Sequence, residues 1–222
     1  MIRNVSTVLN AAEVRVLGSL VEKEITTPEY YPLSLHALIN ACNQKSNRDP
    51  LMNLDENEVR EALRALNDQA LARSSNSSES RVSKYEHRLQ EVFNFNRHEM
   101  AILCVLLLRG PQTSGELRGR AERMHRFDDL SEVQSTLQHL MKREPPVVKI
   151  LPRQPGTKEA RYAHLLSGNP EPFQQQSSPK AAATHNLEDH ERIARLENDL
   201  RGLQEEVSDL KQQLLDFRKQ FQ

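Results

Sequence analysis

Apolar and polar positions alternate with helical spacing through most of the first ninety residues. From Leu9-Asn10 onward, Val14, Leu17, Leu20 and Val21 fall on one face and predict a helix running to about Ile25. The stretch Thr26-Thr27-Pro28-Glu29-Tyr30-Tyr31-Pro32 ends it, because two prolines remove backbone donors and fix φ. A second helix opens at Ser34 and turns Leu35, Leu38, Ile39 and Cys42 inward. The polar run Asn43-Gln44-Lys45-Ser46-Asn47-Arg48-Asp49-Pro50 reads as an exposed loop. Asp55, with Glu58 three residues on, has the pattern of a capping box and opens a third helix burying Val59, Ala62, Leu63 and Leu66. Two short strands, Ala70–Arg73 and Arg81–Glu86, then flank a serine-rich tip and predict a hairpin.

The same plan recurs. Asn10, Glu13, Val14, Leu17 and Leu20 reappear as Asn96, Glu99, Met100, Leu103 and Leu106, 86 positions later. Glu58, Val59, Leu63 and Leu66 reappear as Glu132, Val133, Leu137 and Leu140 at an offset of 74. Lys84-Tyr85-Glu86-His87 reappears as Arg161-Tyr162-Ala163-His164 at an offset of 77. Three matched blocks in one order are the mark of a duplicated unit. The second copy predicts helices over Asn96–Leu108, Thr113–Met124 and Leu130–Arg143, and a hairpin pairing Val147–Leu151 with Arg161–Leu165. Three helices followed by a hairpin is the winged helix-turn-helix plan.

Beyond Ser167 the pattern changes. Residues 169–185 are rich in Pro, Gln, Ser and Ala and read as a flexible linker. From residue 186, Ile193, Leu196, Leu200, Leu203, Val207, Leu210, Leu214, Phe217 and Phe221 step by threes and fours, the signature of a coiled-coil helix. With Ile193 at position a, Arg192 faces Glu197 and Glu206 faces Lys211 across a parallel pair, so these residues are expected to dimerise the chain. The expected fold is mainly α with small β-hairpins (α+β). It comprises a winged-helix domain at 1–90, a second at 91–168, a linker at 169–185 and a coiled-coil helix at 186–222.

Composition narrows the chemistry. The chain has 222 residues, 30 basic against 31 acidic, and no Trp. Its net charge therefore offers no global attraction to nucleic acid or anionic membrane. Only the second repeat is net positive, with 12 basic residues against 9 acidic. Two unpaired cysteines and the absence of a signal peptide or long apolar run point to a cytoplasmic protein with no membrane association. Cys42 and Cys104 lie on apolar helix faces and read as buried packing residues. His87 and His164, each near a tyrosine, read as residues that pack the hairpin on the helices. No phosphate loop, no grouped metal ligands and no set of nucleophile and base can be assembled, so neither an enzymatic activity, a cofactor nor a metal is expected.

Nucleic-acid contact has candidates. Arg118, Arg120, Arg123 and Arg126 fall within nine residues, and Lys149, Arg153, Lys158 and Arg161 dress the second hairpin. Together they offer donors to backbone phosphate. Lys45, Asn47 and Arg48 of the polar loop add hydrogen-bonding groups. The third helices are less suited to the major groove, since one carries Asp55, Glu56, Glu58, Glu61 and Asp68 and the other begins Asp128-Asp129-Leu130-Ser131-Glu132.

Glu22-Lys23, Thr26-Thr27-Pro28-Glu29, Tyr31-Pro32-Leu33-Ser34 and Ala41-Cys42-Asn43-Gln44-Lys45-Ser46-Asn47-Arg48-Asp49-Pro50 resemble the YceH family of uncharacterised bacterial proteins. Leu106-Leu107-Leu108-Arg109-Gly110 and Gln112-Thr113-Ser114-Gly115-Glu116-Leu117-Arg118 resemble that family's second half. The similarity spans about residues 9 to 168 and implies a pair of winged-helix domains without bringing an activity. The first hairpin departs from the family pattern, with Ser74–Ser80 where a glycine-containing turn is expected.

The expectation that follows is a non-enzymatic, DNA-associated dimer resembling a transcription regulator. The alternative is a protein-interaction adaptor like the tandem winged-helix segregation-and-condensation protein B, with its acidic third helices as docking faces for a protein partner.

Overall fold

In the computed structural model, residues 8–75, 83–153 and 159–169 are described. The tip of the first hairpin, Lys158, residues 170–185 of the linker and the whole proposed dimerisation series from Ile193 to Phe221 lie outside them.

Each repeat opens with a helix fixed by the same cap. In α1 (Ala11–Thr26) the Asn10 side chain accepts the Glu13 N–H at 2.9 Å and the Glu13 carboxylate accepts the Asn10 N–H at 3.1 Å. In α5 (Arg97–Arg109) Asn96 and Glu99 repeat the exchange at 2.9 and 3.0 Å. Both orphan donors at the helix start are thereby satisfied. These helices are not amphipathic in the way the sequence pattern suggests. Every residue from Glu13 to Glu22 and from Glu99 to Leu108 is buried, because α1 and α5 pack against one another as well as on their own repeats.

Around α1 sit a single 3₁₀ turn at Pro28–Tyr30, then β1 (Leu33–Ser34), α2 (Leu35–Cys42) and α3 (Glu56–Asp68). Asp55 caps α3 by accepting the Glu58 N–H at 2.9 Å, and the helix buries Val59, Ala62, Leu63 and Leu66. Strands β2 (Ala72–Ser75) and β3 (Lys84–His87) form the hairpin. The two-residue β1, missed by the sequence pattern because it is too short to alternate, adds to β3 and gives an antiparallel sheet of order β1-β3-β2. Tyr85 stands opposite Leu33 on one side and Ser74 on the other. The Tyr31 hydroxyl accepts the His87 N–H at 2.8 Å, and the His87 ring meets Glu24 of α1 at 2.8 Å, so the hairpin is pinned to the helical layer.

A short helix α4 (Leu89–Phe93) joins the repeats and ends at Asn94, which takes a left-handed conformation with φ of 51°. Asparagine tolerates that region better than most residues. Repeat 2 continues with α6 (Ser114–Ala121), α7 (Leu130–Lys142), β4 (Val148–Ile150) and β5 (Tyr162–His164). Expected to reach Met124, α6 stops three residues short, where the Met124 and His125 N–H groups both bond the Ala121 carbonyl at 2.8 and 2.9 Å. The third strand of repeat 1 has a reduced counterpart here, a bridge between Gln112 and Tyr162. The buried apolar side chains of both repeats form one continuous core. Among the described residues, no helix is long and apolar enough to cross a membrane.

Candidate nucleic-acid interface

The polar loop between α2 and α3 is a built structure. Asn43 clasps Leu54 through two hydrogen bonds of 2.8 Å, closing the loop at its base. Arg15, 2% exposed in α1, donates to the carbonyls of Cys42 and Pro50. Arg48 overturns the reading of an exposed loop donor. Its side chain is fully buried and forms a two-pronged pair with Glu22 of α1 at 3.1 and 2.7 Å, while also donating to the Ala41 carbonyl. Burial works to raise the Glu22 carboxyl, and hydrogen bonding and charge from Arg48 outweigh it and hold the group below the usual carboxylate range. Such a guanidinium is fully committed inside the protein and has no donor for phosphate. Lys45 is exposed, and Asn47 is half-buried at the loop tip with φ of 60°.

The four arginines of the α6 region separate into two pairs. Arg118 and Arg126 flank an open surface cavity of about 450 Å³ that is also lined by Phe127 and by Leu130 at the start of α7. Arg118 also donates to the Asp128 carbonyl at 2.7 Å, which ties α6 to the entrance of α7. Arg120 and Arg123 face the other way, into a small crevice with Asn47, Glu22 and Arg109. Arg109 donates to Asn47, and Arg120 to Gln112. Burial, then the charge of Arg120 and of Arg48, lowers the affinity of Arg109 for its proton, a sign of crowded positive charge. The loop of repeat 1 and the second helix of repeat 2 thus meet at one place, although Arg109 rather than Arg48 supplies the third cation. Its position, 86 after Lys23, was the available signal.

In the second hairpin, Arg161 is taken up by Glu116 at 2.8 Å and by the Pro111 carbonyl, Lys149 bonds Asn169, and Arg153 stands exposed. Among the described residues, Arg123, Arg126 and Arg153 have no hydrogen-bonding or ion-pair partner, and these three remain free for an external anion.

The two third helices differ more than their sequences suggest. On α3, Glu56, Glu58, Glu61 and Asp68 are all exposed beside Arg60 and Arg64. On α7 the exposed residues after Leu130 are Ser131, Gln134, Ser135, Gln138, His139 and Lys142. Two of the three acidic residues at its start are engaged locally, while the Asp128 side chain stands exposed. Asp129 accepts the Glu132 N–H at 2.9 Å as the helix cap, and Glu132 accepts the Asp128 N–H at 2.9 Å. That backbone hydrogen bond, foremost among several causes, holds the Glu132 carboxyl below its ordinary range. The solvent face of α7 is left with amides, hydroxyls and two basic side chains.

Residues 9–157 match a family described as a protein of unknown function, DUF480. The chain is 59% identical over 198 residues to a UPF0502 protein of Koribacter versatilis, covering 88% of this chain and 90% of the relative. It is 57% identical over 192 residues to a UPF0502 protein of Citrifermentans bemidjiense, covering 86% and 88%. A UPF0502 protein of Geobacter sulfurreducens is 52% identical over 216 residues, covering 96% of this chain and 98% of its own.

Proposed function

The chain belongs to the DUF480 family of uncharacterised proteins, and from its own residues we propose that it is a non-enzymatic, DNA-associated protein built on two tandem winged helix-turn-helix domains. Three helices followed by an antiparallel hairpin, found twice in the same order, support the architecture. The observation that carries the DNA reading is the solvent face of α7. From Ser131 to Lys142 it holds no free carboxylate and presents Gln134 and Gln138 one turn apart. Glutamine is the residue type that pairs with adenine edges in the major groove. The partnerless Arg126, beside the start of α7, and Arg153 of the hairpin supply phosphate contacts that position the helix.

The heptad series from Ile193 to Phe221 supports a homodimer, which would present two copies of α7 to neighbouring half-sites. Sedimentation of the full chain against residues 1–173 tests this, the shorter chain sedimenting as a monomer.

The DNA reading is tested by titrating the full chain into labelled genomic fragments at two salt concentrations and sequencing what is retained. Selective retention that persists at moderate salt is the expected result. Absence of retention at low salt would favour the adaptor reading, for which α3 offers the exposed Glu61 and Asp68, with Glu56 held by Arg60 and Glu58 by the Asp55 N–H beside them, as the docking face.

A further inference from the structure

We propose that His98, His125 and Glu132 bind a divalent transition-metal ion of the zinc class. His98 lies in the first turn of α5, His125 in the turn after α6, and Glu132 in the first turn of α7. Their ligand atoms all fall within 4.8 Å of one another. His98 Nδ1 is 3.3 Å and His125 Nε2 3.5 Å from the same carboxylate oxygen, Glu132 Oε1. Ligands about 2.1 Å from a tetrahedral ion stand about 3.4 Å apart, so these separations already match two edges of a zinc site.

Several features make this a formed site. His125 Nε2 is buried and has no hydrogen-bond partner, despite its closeness to Oε1. A buried imidazole nitrogen without a partner is costly, and an ion is one way to satisfy it. The second oxygen, Glu132 Oε2, is held by the Asp128 N–H at 2.9 Å, which fixes the carboxylate with Oε1 toward the rings. Hydrogen bonds of this kind orient ligands in metal proteins. The two imidazoles stack at 4.1 Å with their planes 23° apart, beside the buried Phe127 ring at 4.6 Å from His125, so the rings are already together and ion binding requires one of them, the more exposed His98, to turn until both in-plane lone pairs meet the ion.

The donor set identifies the class of ion. Two imidazoles with one carboxylate suit zinc, cobalt or nickel, whereas calcium and magnesium prefer oxygen donors. Three protein ligands leave a fourth position for water, and the His98 side chain is 44% exposed, so the ion has a path from solvent. Bound there, it would join α5, the end of α6 and the start of α7. The inference is independent of DNA binding, because its readout is metal affinity. Sequence reasoning missed the site because its ligands come from three elements, 27 and 7 positions apart.

The test uses the full chain, stripped with a chelator and titrated with Co²⁺, following visible absorption and then displacement by Zn²⁺. Variants His98→Gln, His125→Asn and Glu132→Gln are compared, with circular dichroism reporting their fold. The expected result is one Co²⁺ bound with a tetrahedral spectrum, and at least about a tenfold loss of affinity in each folded variant. His98→Gln lies at a half-exposed position and carries the comparison even if His125→Asn does not fold. Equal affinity in the parent and His98→Gln, or no binding by the parent, would overturn the proposal.

Discussion

Gly18 and Cys104 occupy equivalent positions of the two repeats and meet where α1 crosses α5, the Cys104 thiol donating to the Gly18 carbonyl at 3.6 Å. A Cβ on Gly18 would lie 2.9 Å from Leu108 Cδ2 and 3.1 Å from Leu107 Cβ, closer than side chains ordinarily pack. The absence of a side chain there lets the two central helices approach and fuses both repeats into one core. Gly18→Val is expected to destabilise the chain by about 1–3 kcal/mol through overpacking, offset in part by the better helix propensity of valine. Denaturant unfolding measures the loss, and an unchanged midpoint would show that the crossing has slack.

Arg48 and Glu22 allow a sharper distinction between structural and binding roles. Removing the arginine leaves the buried Glu22 carboxylate with only the longer Lys23 contact at 3.6 Å, a change that approaches the cost of about 3–5 kcal/mol seen where a buried pair is broken. Arg48→Met is therefore expected to lower stability by that order while leaving the salt dependence of any DNA binding unaltered in the folded fraction. A folded, equally stable variant with weakened DNA binding would return Arg48 to the interface.

Most of the helical framework was legible in the sequence because it depends on local chemistry. Asp55 with Glu58 announces its helix through a cap that the structure reproduces, and the repeated pairs Asn10 with Glu13 and Asn96 with Glu99, legible only as a repeat, prove to be the same device. What was not legible depends on partners distant in sequence. Arg48 reads as a loop donor until Glu22, 26 residues away, is seen to claim it. That Asp129 and Glu132 at the acidic start of α7 serve to fix the helix entrance, leaving the face from Ser131 to Lys142 without a free carboxylate, emerges only from the hydrogen bonds. The strand β1 and the helix α4 escaped because two and five residues give periodicity too little to act on.

Both thiols should be inert in the folded protein. Cys42 and Cys104 are fully buried, and burial raises the Cys42 thiol to about 11 and shifts Cys104 upward as well. Since the thiolate is the reactive form, labelling by a disulfide reagent at neutral pH should proceed only as fast as the protein opens. Rapid stoichiometric labelling of either cysteine would contradict the packing described for α2 and α5.

On α7 and the turn before it, base readout and phosphate binding separate by their dependence on sequence and on salt. Gln134→Ala with Gln138→Ala is expected to reduce discrimination between retained and unretained fragments by about 1–3 kcal/mol for each base pairing removed, with non-specific binding unchanged. Arg126→Ala with Arg153→Ala should weaken all fragments alike and reduce the salt slope by about one for each phosphate no longer neutralised. Equal effects of both variants on every fragment would remove base readout from α7 and leave a backbone-binding protein.

His164 sets an acid limit on stability. Its ring belongs to β5, its Nδ1 is buried with no hydrogen-bond partner, and burial pushes its pKa down from 6.5 to about 4. An unfolded chain therefore takes up a proton at this residue before the folded one does. The resulting stability is fully present above about pH 6.5 and declines as the pH falls toward 4, where the folded state is protonated too. The loss attributable to this one residue is at most about 3 kcal/mol. Replacing it with Phe removes the titration, so the difference in unfolding free energy between the parent and His164→Phe should vary with pH across this window and be constant above it. A difference independent of pH from 4 to 7 would mean that the ring is solvated in the folded protein, and that the hairpin of repeat 2 stands further from α5 than its packing indicates.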